Sequence, residues 1–224
     1  MRPRKKPNLM PRLNRCAPVI LSIPQEPEEL AALKGNIRNV FPNPSAPLHL
    51  EVGCGKGQFV CELATRNPDM NFLAIERERN VAVVAAEHAL RRNIKNVRFV
   101  LCDADFLPEL IEEGELSQNY INFCDPWHKN RQFKRRLTYR VRLEMFQSLL
   151  KQDGELWFKT DNYNLFHFSV AEFEAVMPPY FVTRDLHNSE YAEDNIITEY
   201  EAYFSGLGQP IYSIRAKKPA ASNG

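Results

Sequence analysis

Long apolar runs are absent from this sequence. No stretch approaches the roughly 20 consecutive residues that a membrane helix needs, so a spanning protein is not expected. Cysteine is scarce: the five that occur (Cys16, Cys54, Cys61, Cys102 and Cys124) form no C-x-x-C pair and leave an odd count. They suit a reducing compartment and argue against a disulfide frame or a zinc site. The Arg/Lys-rich N-terminus lacks the apolar segment and small-residue cleavage site of a secretory leader. Prolines at positions 3, 7 and 11 oppose the amphipathic helix of a transit peptide. The expected location is therefore cytoplasmic. Internal repeats and low-complexity tracts are also missing. What is present is ordinary for a globular chain: 224 residues, 25% charged and 44% hydrophobic, the size of a single α/β domain.

Acid is missing from two stretches. Residues 1–15 hold Arg2, Arg4, Lys5, Lys6, Arg12 and Arg15, and residues 126–143 hold Lys129, Arg131, Lys134, Arg135, Arg136, Arg140 and Arg142. These carry 13 of the 29 basic residues and leave 16 basic against 28 acidic elsewhere, so a net charge of +1 conceals an acidic body of −12. A single such run reads as a solvated face. Two runs, the second beside a motif described below, point to a polyanion as partner.

The first 25 residues contain five prolines and read as an extended basic arm, followed by one domain over 26–224. Whether the arm is ordered before a partner binds stays open. Pro27-Glu28-Glu29 opens a short helix that Gly35 closes. From Leu48, strands alternate with amphipathic helices. Strands are expected at Leu48–Val52, Asn71–Ile75, Val97–Leu101, Tyr120–Phe123 and Glu155–Lys159. Helices fall near Gln58–Arg66, Val81–Arg92 and Tyr139–Leu150, the last with Val141, Met145 and Leu149 at i, i+4, i+8. A fourth helix places Phe166, Val170, Phe173 and Met177 on one face and ends at Pro178-Pro179. Tyr180–Leu186 and Pro210–Arg215 read as a closing antiparallel pair. The expected fold is α/β and Rossmann-like: a mostly parallel sheet, helices on both faces, and the ligand crevice at the strands' carboxyl ends.

The strongest local signal is Leu48-His49-Leu50-Glu51-Val52-Gly53-Cys54-Gly55-Lys56-Gly57, a buried strand running into a Gly-x-Gly-x-Gly turn and a helix. Gly53, Gly55 and Gly57 permit a sharp turn and close approach of a ligand to the backbone. Gln58 stands where a dinucleotide fingerprint needs its next glycine, and no Walker lysine followed by Ser or Thr occurs, so a pyrophosphate cradle is disfavoured. Glu51, at the strand end, suits a cationic ligand. Glu76 ends the next strand, where a carboxylate accepts from both hydroxyls of a ribose. Asp103 and Asp105 follow the third strand, as acceptors for an adenine amino group or as turn caps.

These spacings resemble class I S-adenosylmethionine-dependent methyltransferases. Asn122-Phe123-Cys124-Asp125-Pro126-Trp127-His128-Lys129 follows, then Asn130-Arg131-Gln132-Phe133-Lys134-Arg135-Arg136, then Lys159-Thr160-Asp161 and Thr198-Glu199-Tyr200-Glu201. Together they are similar to the tRNA (guanine-N7)-methyltransferase family from Leu48 to Tyr212, and Met1–Pro7 is similar to the family's start. The resemblance implies cofactor contacts by Glu51, Glu76, Asp103 and Asp125, with Asp125 also the active-site acid. It implies substrate contacts by Lys129, Asp161, Thr198, Glu199, Tyr200 and Glu201. Cys124 stands where many members have proline. The implied reaction transfers a methyl group from S-adenosylmethionine, leaving S-adenosylhomocysteine, to N7 of the guanine at position 46 in the variable loop of tRNA.

Arg131, Lys134, Arg135 and Arg136 are candidate phosphate contacts. Trp127 suits either base stacking or packing beneath its loop. The histidines have no metal spacing, and no metal or membrane partner is expected; monomer and homodimer stay equally open. Guanine N7 carries no proton, so His128 has nothing to remove as a general base. Two other readings remain: a methyltransferase of this fold acting on a protein or small molecule, which would leave residues 129–142 without a purpose, and an inactive RNA-binding module. The intact Glu51, glycine turn and Asp125 oppose the second.

Overall fold

The computed structural model describes residues 7–220. The chain divides into two compact units, Met1–Glu112 and Glu113–Gly224.

The first unit contains α1 (Leu9–Arg15), β1 (Ile20–Leu21), α2 (Pro27–Lys34), β2 (Leu48–Val52), α3 (Gln58–Arg66), β3 (Asn71–Ile75), α4 (Arg79–Arg91) and β4 (Val97–Val100). Its strands run parallel in the order β1-β4-β3-β2. All five residues of β2 and of β3 are buried, as strands covered on both faces require. The order 4-3-2 steps one way across the sheet, so right-handed crossovers place α3 and α4 on the same face. Val60, Cys61 and Ala64 of α3 and Ala85, Ala86 and Ala89 of α4 share one apolar cluster with Phe72, Ala74, Val97 and Phe99. Alanines along α4 let it lie close to the sheet.

The extended reading of residues 1–25 needs correction at 9–15. Leu9–Arg15 is helical, and Arg12 fixes it to α4 by donating through Nε and Nη2 to the two carboxylate oxygens of Glu87, each at 2.7 Å. β1 then pairs Ile20 with Phe99. Arg2, Arg4, Lys5 and Lys6 lie outside the described residues.

The second unit contains β5 (Leu116–Asn122), α5 (Arg140–Leu149), β6 (Leu150–Thr160), α6 (Tyr163–Val176), β7 (Pro179–Thr183), α7 (Glu199–Gly206) and β8 (Tyr212–Lys217). β5 and β6 are parallel. β8 runs antiparallel between β6 and β7, so the expected closing pair is present. The Arg140–Glu172 ion pair at 3.0 Å joins α5 to α6, and a 2.7 Å hydrogen bond between the buried hydroxyls of Thr138 and Ser169 joins the residues just before α5 to α6.

The buried stripe of α5 is not the expected one. Val141 is 58% exposed, and Leu143, Phe146 and Leu149 face inward. Spacings of three and four both fit a helix of 3.6 residues per turn, and the larger side chains take the core.

Candidate functional site

In the first unit, strand register brings the sequence-marked residues together. Val52 pairs with Ile75 and Ile75 with Val100, so the three strands end level. The residues that follow are therefore neighbours: Gly53 N–H donates to Ile75 O at 2.9 Å and Glu76 N–H to Val100 O at 3.1 Å. Gly53, Gly55 and Gly57 all have positive φ, at 75°, 57° and 74°. They serve different ends. A Cβ on Gly53 or Gly55 would meet no atom within 4 Å, whereas on Gly57 it would lie 2.6 Å from the Ala85 Cβ. Gly57 thus lets α3 pack on α4, and the other two leave open space over the turn.

Glu76 closes this arrangement. Its Oε2 accepts from Gly55 N–H at 3.1 Å and its Oε1 from Glu78 N–H at 2.9 Å, so the carboxylate is held beside the glycine turn. A carboxylate has about four acceptor positions, and two hydrogen bonds leave room for hydroxyl donors. Glu51 is buried, 3% exposed, within β2. Asp103 is exposed, accepts weakly from Asp105 N–H at 3.3 Å as the cap of the 3-10 segment Ala104–Glu109, and lies 3.8 Å from Arg77. It remains open to a ligand.

The second unit gathers a separate set. Asn122 pairs with Lys159, and Phe123 N–H donates to Lys159 O at 2.9 Å, so the Asp125 loop and Thr160-Asp161 leave adjacent strand ends. Asp125, His128 and Lys129 are exposed. The Tyr200 hydroxyl donates to both oxygens of Asp161 at 3.3 and 3.4 Å, and its ring lies 4.9 Å from that of Phe123. Burial, then the Asp161 charge, push the Tyr200 phenol up to about 12, so it stays a neutral donor. Burial likewise pushes the Cys124 thiol up to about 12, making it an inert filler.

The sequence model of a family described as "Putative methyltransferase" matches residues 45–214. A tRNA (guanine-N(7)-)-methyltransferase of Listeria monocytogenes serotype 4b (strain F2365) is 44% identical over 218 residues, covering 97% of this chain and 98% of its own. One of Brevibacillus brevis (strain 47) is 47% identical over 184 residues, 82% of this chain and 86% of its own. The chain belongs to the tRNA (guanine-N7)-methyltransferase family. Among solved structures, an antibiotic-related methyltransferase superposes with a TM-score of 0.56 at 17% identity, covering 88% of this chain and 96% of that one. The 16S rRNA methyltransferase KamB does so with a TM-score of 0.56 at 10% identity, covering 88% and 94%. The fold is accordingly the class I methyltransferase fold.

Two candidate site residues are turned inward: Glu201, a substrate contact implied by the resemblance, and Arg136, a candidate phosphate contact of the basic run. Glu201 is 0% exposed, and three donors occupy its carboxylate: Lys159 Nζ at 2.6 Å on Oε2, with Asn195 Nδ2 at 2.6 Å and His187 Nε2 at 2.8 Å on Oε1. Burial opposes its ionisation, but the Lys159 charge and these hydrogen bonds outweigh that and hold its pKa below the usual carboxylate value. Glu201 therefore ties β6, which leads into Asp161, to α7, which carries Tyr200.

Arg136 is the second. It is 9% exposed; its Nε donates to Pro126 O at 2.9 Å, its Nη2 points at Trp127 O at 3.4 Å, and its guanidinium lies 4.4 Å from the Phe168 ring centre. Desolvation makes such a site costly for a cation, and the guanidinium faces protein carbonyls rather than solvent. Arg131, Lys134 and Arg135 are exposed. Trp127 is half-buried, with the Arg135 guanidinium 5.0 Å from its ring centre.

Lys159, His187 and Asn195 were not singled out by sequence. One signal for Lys159 exists: a lysine ending the apolar run Leu156-Trp157-Phe158 must find a partner once buried. Among the described residues there is no group of three or more His, Cys, Asp and Glu that could hold a metal, and no helix long and apolar enough to cross a membrane.

Proposed function

We propose that this protein transfers a methyl group from S-adenosylmethionine to N7 of guanine in tRNA, at position 46 of the variable loop, in the cytoplasm. The observation that carries the reading is near-full-length identity of 44% to a relative bearing that name. The first unit fits the cofactor. The open space over Gly53 and Gly55 admits a ligand against the backbone, and the Glu76 carboxylate stands at its edge with lone pairs to spare for ribose hydroxyls. Glu51 and Asp103 complete the acidic surroundings that suit a cationic sulfonium, and Asp125 is the further family contact. When bound, S-adenosylmethionine supplies an electrophilic methyl group.

The chain's own residues bind and orient guanine. N7 offers a lone pair and carries no proton, so no side chain acts as general base. The Asp125 carboxylate accepts from the N1–H and N2–H donors of guanine and favours the positive charge that develops on the ring. Asp161, oriented by the Tyr200 hydroxyl, and the stretch from Thr198 to Tyr200 contact the nucleoside; Lys129 contacts the RNA. Alignment of the reacting atoms supplies about 7–11 kcal/mol in systems of this kind.

Incubation with labelled cofactor and bulk tRNA, followed by nucleoside analysis, tests the reading: 7-methylguanosine is the expected product. Label appearing only in protein or small molecules would overturn it. For the mechanism, Asp125→Asn is expected to lower the single-turnover rate by about 10²–10³, with cofactor affinity falling less. The wild-type rate should be nearly flat between about pH 6 and 9, since no base must be deprotonated. A steep neutral limb that vanishes in Asp125→Asn would make Asp125 a base.

A further inference from the structure

We propose that Arg136 is a positioning residue for Asp125: from inside the fold it fixes the backbone of the Asp125-Pro126-Trp127 loop, and it contacts no RNA. The inference rests on the functional reading above and says how the Asp125 carboxylate keeps its place. The loop is flanked by two non-glycine residues in the left-handed region, Phe123 at φ 51° and Trp127 at φ 45°. Neither is a residue type that adopts this conformation readily, so contacts elsewhere must maintain it.

Arg136 provides such contacts at a decisive place. The φ angle of Trp127 is the torsion between the carbonyl carbons of Pro126 and Trp127. The oxygens on those two carbons are the ones that face Arg136, at 2.9 Å from Nε and 3.4 Å from Nη2. A planar guanidinium addressing both carbonyls restrains their relative orientation, which φ and ψ of Trp127 together determine. Lysine, with one ammonium group, has no fixed fork with which to do this.

The guanidinium is itself anchored. Phe168 of α6 covers it at 4.4 Å. Arg136 thus holds the loop immediately after Asp125. The basic run Lys134-Arg135-Arg136 divides by burial: the first two are exposed to a polyanion, and the third turns inward.

The test compares Arg136→Lys and Arg136→Ala with the double variant Lys134→Ala/Arg135→Ala in the full chain. Three quantities are measured: hydrogen exchange by mass spectrometry, the single-turnover rate at saturating tRNA, and the salt dependence of tRNA affinity. Both Arg136 variants are expected to exchange faster over residues 123–129 with α5 and α6 unchanged. They should lose about 10²-fold in rate, the cost of a small misplacement at a reacting centre, and keep the wild-type salt slope. Added guanidinium ion should restore part of the rate to Arg136→Ala and none to the double variant. The double variant should instead lower the salt slope by roughly 0.7–0.9 for each phosphate it no longer neutralises.

Unchanged exchange over 123–129 in Arg136→Lys overturns the proposal. So does a lowered salt slope with the saturating rate intact, which would make Arg136 a phosphate contact. If Arg136→Ala does not fold, Arg136→Lys still decides. If the wild type methylates no tRNA, the functional reading fails and the exchange measurement alone decides the role of Arg136.

Discussion

Gly55 and Gly57 stand two residues apart with left-handed backbones, yet they answer to different demands. Gly57 is closed against Ala85, so Gly57→Ala adds overpacking of about 1–3 kcal/mol to a left-handed penalty of about 1–2 kcal/mol. Gly55 has no neighbour within 4 Å of a Cβ, so Gly55→Ala carries the backbone penalty alone. The expected outcome is a crossed pattern. Denaturant unfolding should show Gly57→Ala to be the less stable variant by a margin of roughly 1–3 kcal/mol. Calorimetry with S-adenosylhomocysteine should show the larger relative loss of affinity in Gly55→Ala, whose methyl group enters the space above the turn. Equal stability of the two variants would mean that α3 shifts freely on α4. The sequence pattern alone could not separate these glycines, because their difference comes from a helix residue some 28 positions downstream of Gly57.

At the scale of elements, the Lys159–Glu201 pair joins β6 to α7, and His187 and Asn195 bring the intervening segment onto the same carboxylate. Removing one partner of a buried pair leaves the other charge uncompensated, so Glu201→Gln is expected to cost about 3–5 kcal/mol at neutral pH. The pH dependence follows from the depressed pKa of Glu201. Its contribution is complete above the unfolded value of 4.5 and is lost as pH falls through the lower folded value. Melting curves at descending pH should therefore converge for wild type and Glu201→Gln below that point; a constant gap would assign the loss to packing.

Strands β2 and β3 and helix α3 were legible to the residue, because continuous apolar runs bounded by Gly, Asn and Pro admit few alternatives. The level strand ends beside Glu76 followed from the same topology. What stayed hidden depended on contacts distant in sequence. The helix at Leu9–Arg15 exists through Glu87, 75 residues from Arg12, and Glu201 reads as a surface acid unless Lys159, 42 residues away, is placed beside it. Arg136 is indistinguishable from Arg135 in the sequence, since their burial differs only because Arg135 ends the 3-10 turn Asn130–Arg135 and Arg136 follows it in extended backbone.

The whole molecule carries a net charge of +1, and outside its two basic stretches the balance is −12, so long-range attraction to tRNA cannot come from the body. It must come from local clusters, and folding removes several of their members. Arg12 is engaged by Glu87, Arg140 by Glu172, and Arg136 faces two carbonyls. Arg142 donates to Lys134 O at 2.7 Å and holds the turn that presents its neighbours. Arg131, Lys134 and Arg135 remain exposed on one short segment. Each phosphate neutralised by such a cation releases counterions, so affinity should fall steeply with salt. Replacing these three together by alanine is expected to reduce the log–log salt slope by about 2–3, from about 0.7–0.9 for each phosphate, while the rate at saturating tRNA falls little. Filter binding across a salt series checks the slope, and single-turnover assays check the rate. A slope unchanged in the triple variant would leave Arg15 and the basic residues at 2–6 to carry the polyanion, and the segment after Asp125 would then be a solvated face beside the site. The acidic body sharpens this test: outside the two basic stretches the balance is −12, so any compensation for the three cations must come from the N-terminal stretch.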